Sequence, residues 1–141
     1  MRGWSDVPLL GLCCGLAVCL AGAAAQAQTM TLVGSTSLAL KSNESTEVGE
    51  VYFVSNCRSL LKSTPEVEIL DGPPGVSASI KDAMVLPRRQ SCASKVPGGM
   101  LVVSAKDIED PSYTRFTVRI LYKTKDGDRK FSHTFNLSLI P

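Results

Sequence analysis

Apolar and polar residues alternate along several segments of the chain, a pattern that predicts β-strands with one buried face. Val51 and Phe53 share one parity in VGEVYFVSNC, and Leu38 and Leu40 share one in TMTLVGSTSLAL. The strongest signal is the pair of alternating runs TRFTVRILYKTK and KFSHTFNLSLI, which flank the turn sequence KDGD and predict a hairpin. The run MLVVSA, residues 100–105, is apolar on both parities and predicts a central strand covered on both faces.

Glycine and proline separate these runs. DGPPG, residues 71–75, predicts a turn, because proline lacks a ladder donor and cannot continue a helix. VPGG, residues 96–99, is interpreted as a second turn, which introduces the central strand. No segment has a convincing helical period. Seven to eight short strands joined by such turns predict an all-β fold, an antiparallel β-sandwich of immunoglobulin-like topology.

The start of the chain has the pattern of a secretory signal peptide. A short charged start precedes an apolar run from Leu9 to about Ala24, and small residues follow it. We predict a signal peptide over residues 1–27, with cleavage before Gln28, and a single β-sandwich domain over residues 28–141. A lipoprotein with its lipid on Cys19 is the alternative, which Val18 disfavours. The chain is thus expected to be periplasmic or secreted.

Two cysteines remain after the signal peptide, Cys57 and Cys92. In an exported chain such a pair predicts a disulfide, since the further ligands of a metal site are missing. Cys57 shares the parity of Val51 and Phe53, so we expect it to face inward and the bridge to be buried. Residues 28–141 contain no tryptophan, and the cysteine spacing is shorter than that of the immunoglobulin sheet-bridging pair, so the bridge is expected to tie a sheet to a loop.

Charge and reactive residues exclude several functions. Basic residues are scattered singly among acidic ones, which disfavours nucleic acid as a partner. His133 is the only histidine, and it lies on the apolar parity of the last strand, which indicates a core or edge position instead of a general base. Asp126 and Asp128 in KDGD are interpreted as parts of a turn, because a calcium loop needs more oxygen ligands. We predict no enzyme activity, no catalytic residue, no metal site and no cofactor.

One polar stretch is a candidate binding segment: Arg88, Arg89 and Gln90 in VLPRRQSC. If a strand continued here with Cys92 facing inward, Arg88 would bring an unpaired charge into the core, so the chain is expected to leave the sheet. Pro87 favours this exit because it cannot donate to a ladder. Two guanidinium groups on a loop held by a disulfide would suit a carboxylate or another anion. Solvated loop charge that protects a sheet edge is the alternative interpretation.

Three stretches, NCRSLLKSTPEVEILDGPPGV, PRRQSC followed by VPGG, and YKTKDGDRKFSHTFNLSLIP, resemble small exported proteins of alphaproteobacteria that have no assigned activity. The resemblance implies an envelope or secreted setting, and it carries over no activity and no catalytic residue to this chain. We therefore expect an exported, non-catalytic binding module of the bacterial cell envelope that contacts a protein or an anionic glycan, with no stable membrane span after signal cleavage. Two alternatives remain open: a structural subunit whose segment TMTLVGSTSLAL adds a strand to a neighbouring sheet, and a small inhibitor of an envelope enzyme.

Overall fold

Nine β-strands form two sheets in the computed structural model, which describes residues 29–34 and 36–141. Eight strands have five residues or more, and β4 has two. The predicted signal peptide, residues 1–27, lies outside the described residues. In chain order the strands are β1 (Thr29–Gly34), β2 (Ser37–Lys41), β3 (Ser45–Ser55), β4 (Arg58–Ser59), β5 (Glu66–Asp71), β6 (Val76–Val85), β7 (Val96–Ala105), β8 (Ser112–Thr124) and β9 (Gly127–Ile140).

The two sheets have the strand order of the immunoglobulin fold. Sheet A has the order β1-β3-β7-β6, with β4 paired to β3, and sheet B has the order β2-β9-β8-β5. In immunoglobulin lettering these orders are A-B-E-D and G-F-C, with the first strand divided between the sheets as β1 and β2. The predicted all-β, immunoglobulin-like sandwich is confirmed. One pair differs from the antiparallel prediction, since β2 runs parallel to β9.

The core lies between the sheets and uses the alternating positions that the sequence indicates. The predicted hairpin is confirmed: β8 pairs with β9 from Ser112 opposite Leu139 to Thr124 opposite Gly127. Every second residue enters the core from Phe116 to Thr124 on β8 and from Phe135 to Leu139 on β9, which leaves mostly polar residues on the outer face of sheet B. The buried apolar side chains from the hairpin are Phe116, Val118, Ile120, Tyr122, Phe135, Leu137 and Leu139, and Thr124 is a buried polar one.

A second, smaller cluster lies on the opposite face of sheet A. β3 buries four consecutive residues, Val51–Val54, so both of its faces are covered at this end. Val51 and Phe53 belong to the main core, while Tyr52 and Val54 pack with Val85 and Val96 in the second cluster. At this end both faces of β3 are therefore packed against other residues. The connection between β6 and β7 begins after Val85 and ends before Val96, so both of its ends lie beside this cluster.

VPGG is part of β7, so its interpretation as a turn is wrong. Gly98 pairs with Ala83 and Gly99 with Asp82 on β6, and Gly99 also pairs with Val51 on β3. The glycines are needed for close packing, since a Cβ on Gly98 would lie 2.6 Å from the carbonyl oxygen of Val51. β7 is the predicted central strand, but alternate residues from Met100 to Ser104 are only half-buried on its outer face.

Candidate functional site: the loop end

Three connections meet at one end of the sandwich, which we call the loop end: residues 56–65, 86–95 and 125–126. The Cys57–Cys92 disulfide joins the first connection to the second. Backbone hydrogen bonds join the first to the third and to the end of β8: the Lys125 amide donates to Leu60 O at 3.1 Å, and the Lys62 amide donates to Lys123 O at 2.9 Å. The loop end therefore presents three connected segments on one surface.

The disulfide lies at the surface of the loop end, whereas the sequence predicted a buried bridge. Asn56 and Cys57 form the tight turn between β3 and β4, with φ values of 51° and 59°. Because the chain reverses at this turn, Cys57 no longer follows the parity of Val51 and Phe53, and its side chain is exposed while Cys92 is buried. The prediction of an inward Cys57 is wrong. The predicted pairing is confirmed, with a Cα–Cα distance of 5.5 Å, but the bridge ties the β3–β4 turn to the β6–β7 connection and not a strand to a loop.

The candidate binding segment leaves sheet A at the end of β6, as the charge argument predicts. Arg88–Gln90 form one turn of 3₁₀ helix, in which the Gln90 amide donates to Pro87 O at 3.1 Å and the Ser91 amide donates to Arg88 O at 3.0 Å. Pro87 and Cys92 are buried on either side of this turn, whereas both arginines are exposed and Gln90 is half-buried. A buried proline and a disulfide thus anchor the turn at both ends, which lowers the entropy cost of ordering it on a ligand.

The loop end gathers cations from all three of its segments. Its charged residues comprise six basic ones and a single acidic one, Asp126. All six are exposed, and none takes part in the three ion pairs of residues 29–34 and 36–141, which lie on the sheets. Because none of these charges is in an ion pair, an external anion would not have to displace a bound carboxylate. The six cations are Arg58, Lys62, Arg88, Arg89, Lys95 and Lys125.

The opposite end of the sandwich has the reverse charge. Its connections, residues 42–44, 72–75 and 106–111, carry four acidic residues and only Lys106 as a base. The molecule is therefore polarised along its strands. Sequence reasoning missed this polarity, since cations that are scattered singly along the chain meet only in the fold. The acidic residues are Glu44, Asp107, Glu109 and Asp110.

The remaining titratable candidates lie away from the loop end. His133 faces the sandwich interior near the edge of the core and is half-buried; burial lowers the pKa of its imidazole. Its Nε2 has no hydrogen-bond partner among the residues that the structure describes. Asp126 and Asp128 belong to the β8–β9 turn, where the Asp126 amide donates to Thr124 Oγ1 at 3.2 Å. Within the described ranges no three histidine, cysteine or acidic side chains are grouped as a metal site requires.

The fold and this end together define the class of molecule: an immunoglobulin-like sandwich with a cationic, disulfide-anchored loop surface. No protein-family model, curated protein or solved structure matches the chain. Within residues 29–34 and 36–141, no helix is both long enough and apolar enough to cross a membrane.

Proposed function

We propose that this protein is an exported, non-catalytic binding module of the bacterial cell envelope, and that its loop end contacts an anionic glycan. The observation that carries the proposal is the group of six exposed cations without internal partners. Guanidinium groups suit carboxylate and phosphate groups because they present paired donors in one plane. The predicted signal peptide and the disulfide support an envelope or secreted setting.

A glycan is favoured over a protein surface by what the loop end lacks. Protein interfaces depend on a few large apolar or aromatic anchors in addition to arginine. Among the described residues, the exposed large apolar side chains all lie in strands and none in residues 56–65, 86–95 or 125–126. A polyanion needs no such anchor, because its attraction comes from charge summed over several contacts. A protein partner, including an inhibited envelope enzyme, is the runner-up.

The test is binding of the mature protein to polygalacturonate and to the same polymer after methyl esterification, which removes the carboxylate charge. We expect binding to the charged polymer alone, and we expect it to weaken with added salt, since exposed charges are screened beyond about 10 Å at 0.1 M salt. Replacing Arg88 and Arg89 by serine should lower affinity about tenfold, as two exposed charge contacts contribute on that order.

A matched control removes two charges elsewhere. Lys106→Ser with Arg115→Ser also deletes two exposed cations that are in no ion pair, but both residues lie outside the loop end. This variant should bind as the native chain does. Equal loss in both double variants would show that net charge alone governs binding, and equal binding to the esterified polymer would refute the anionic site.

Assembly by strand addition is the second proposal for function, and one observation bears on it. The segment predicted to donate a strand forms β1 and β2, and both pair within the same chain, β1 with β3 and β2 with β9. Each lies at the edge of its sheet, so exchange between copies would preserve the same pairs. Oligomers of this kind should survive mild detergent, whereas a monomer under those conditions would exclude exchange.

A further inference from the structure

We propose that two copies of this chain associate through β6, which pairs antiparallel with β6 of the second copy and continues sheet A across the interface. β6 is the last strand of sheet A and pairs only with β7 in the described structure. Its ten residues pair in unbroken register, from Val76 opposite Ala105 to Val85 opposite Val96. A long, regular edge of this kind offers a row of backbone donors and acceptors to another strand.

The edge strands of sheet B are protected in ways that β6 is not. β5 has a register shift between Ile69 and Asp71, and it has only six residues. β2 has only five residues. Irregularity and shortness both discourage edge pairing. β6 has neither, and its charged residues are limited to Lys81 and Asp82.

Lys81 on β6 does not block pairing of another strand at this edge. Its Nζ lies 2.8 Å from Oε1 of Glu47 on β3, so the side chain crosses the outer face of sheet A toward the middle of the sheet. Lysine discourages pairing when its ammonium extends past the edge strand. Here the ion pair holds that ammonium on the side away from an incoming strand.

The apolar side chains of β6 are incompletely covered in the single chain. Val76, Ala78 and Ile80 pack against the main core but are only partly buried. Met84 shares their parity and is 56% exposed, more than any other large aliphatic side chain in the described structure. A strand added at this edge would cover these side chains and bring apolar partners to them.

Charge and apolar contact together favour pairing with a second copy of β6 around Ile80. A two-fold axis normal to the sheet places a residue opposite itself, and axes at Lys81 or Asp82 would oppose like charges. An axis at Ile80 avoids this, since it places Ser79 opposite Lys81 of the second copy. The same register places Val76 opposite the exposed Met84. In this register no like charges face each other and Met84 gains an apolar partner, so β6 is compatible with a second copy of itself.

The experiment measures the oligomeric state of the mature chain by sedimentation over a wide concentration range, with two substitutions at Ser79. Ser79→Lys places like charges opposite each other twice in the dimer, and Ser79→Asp places opposite charges there. We expect the dissociation constant to rise about 2- to 30-fold in the first and to fall by a similar factor in the second, since a cross-strand charge pair is worth a few tenths to one kcal/mol.

Both substitutions are at an exposed position, so the fold should tolerate them, and Ser94→Lys in the exposed part of the β6–β7 connection adds the same charge as a control. Hydrogen exchange locates the contact: amides of residues 76–85 should gain protection with concentration, while those of β5 should not. A native chain that stays monomeric at every concentration overturns the proposal and leaves the edge to a strand from another protein. Shifts of the same sign in both Ser79 variants overturn it as well.

Discussion

Replacement of Cys57 and Cys92 together by serine should lower the free energy of unfolding by about 3.8 kcal/mol. The two residues are 35 apart in the chain, and closing a loop of this length restricts the unfolded ensemble by that amount in the chain-entropy treatment. For a domain of this size the same loss corresponds to a fall in Tm of about 15 °C. Such a loss is a large part of the stability of a small domain.

Urea unfolding followed by far-ultraviolet circular dichroism measures this loss, because the only tryptophan, Trp4, lies in the predicted signal peptide. The native protein with its disulfide reduced provides the matched control, and it should lose a similar amount of stability. A loss below about 1 kcal/mol in both would refute the chain-entropy argument. It would show that the packing of Pro87 and of the second cluster holds residues 86–95 on sheet A without the bridge.

Three further substitutions test the core. Burial lowers the pKa of His133, so the folded state favours the neutral imidazole and the free energy of unfolding should fall as the pH drops below about 6.5. His133→Asn should remove that part of the loss, as measured from urea midpoints at pH 7.5 and pH 5. Tyr122→Phe keeps the ring contacts with Phe53 and Phe131 and deletes a buried hydroxyl that has no partner in the described structure, so its urea midpoint should equal or exceed that of the native chain. Gly98→Ala brings a methyl group within 2.6 Å of a backbone oxygen and should cost about 1–3 kcal/mol by the same measurement, with an unchanged midpoint contradicting the close-packing argument.

Local signals predicted the strands well where turn and strand patterns agree. The β8–β9 hairpin is an example, since the KDGD turn and the two alternating runs all require the same register. The VPGG error shows the limit of the same reasoning. Glycine serves both turns and close approach between strands, and only the positions of Val51 and Val85 around Gly98 decide between them.

The candidate site was predictable only in part. The exit of Arg88 from sheet A could be predicted, because the sequence places this arginine at a position where a continued strand would bury its charge. The position of Cys57 depends on one tight turn, for which the preceding Asn56 was an available signal, because asparagine tolerates positive φ. The meeting of Arg58, Arg88 and Lys125 has no local signal, since topology alone brings these connections together.

The two proposals constrain each other through the direction of β6. Residues 86–95 follow β6 directly, and in an antiparallel β6 pair the two loop ends lie at opposite ends of the shared sheet, about 30 Å apart for a strand of this length. The two copies could not both contact one short anionic chain, so the dimer should bind a short oligosaccharide no more tightly than the monomer does. A long polymer can be cross-linked by sites that face apart. Ser79→Lys should therefore move cross-linking of polygalacturonate to higher protein concentration, by the same factor of about 2 to 30, while leaving the affinity for a short fragment unchanged. Loss of both would mean that β6 and the loop end form one interface.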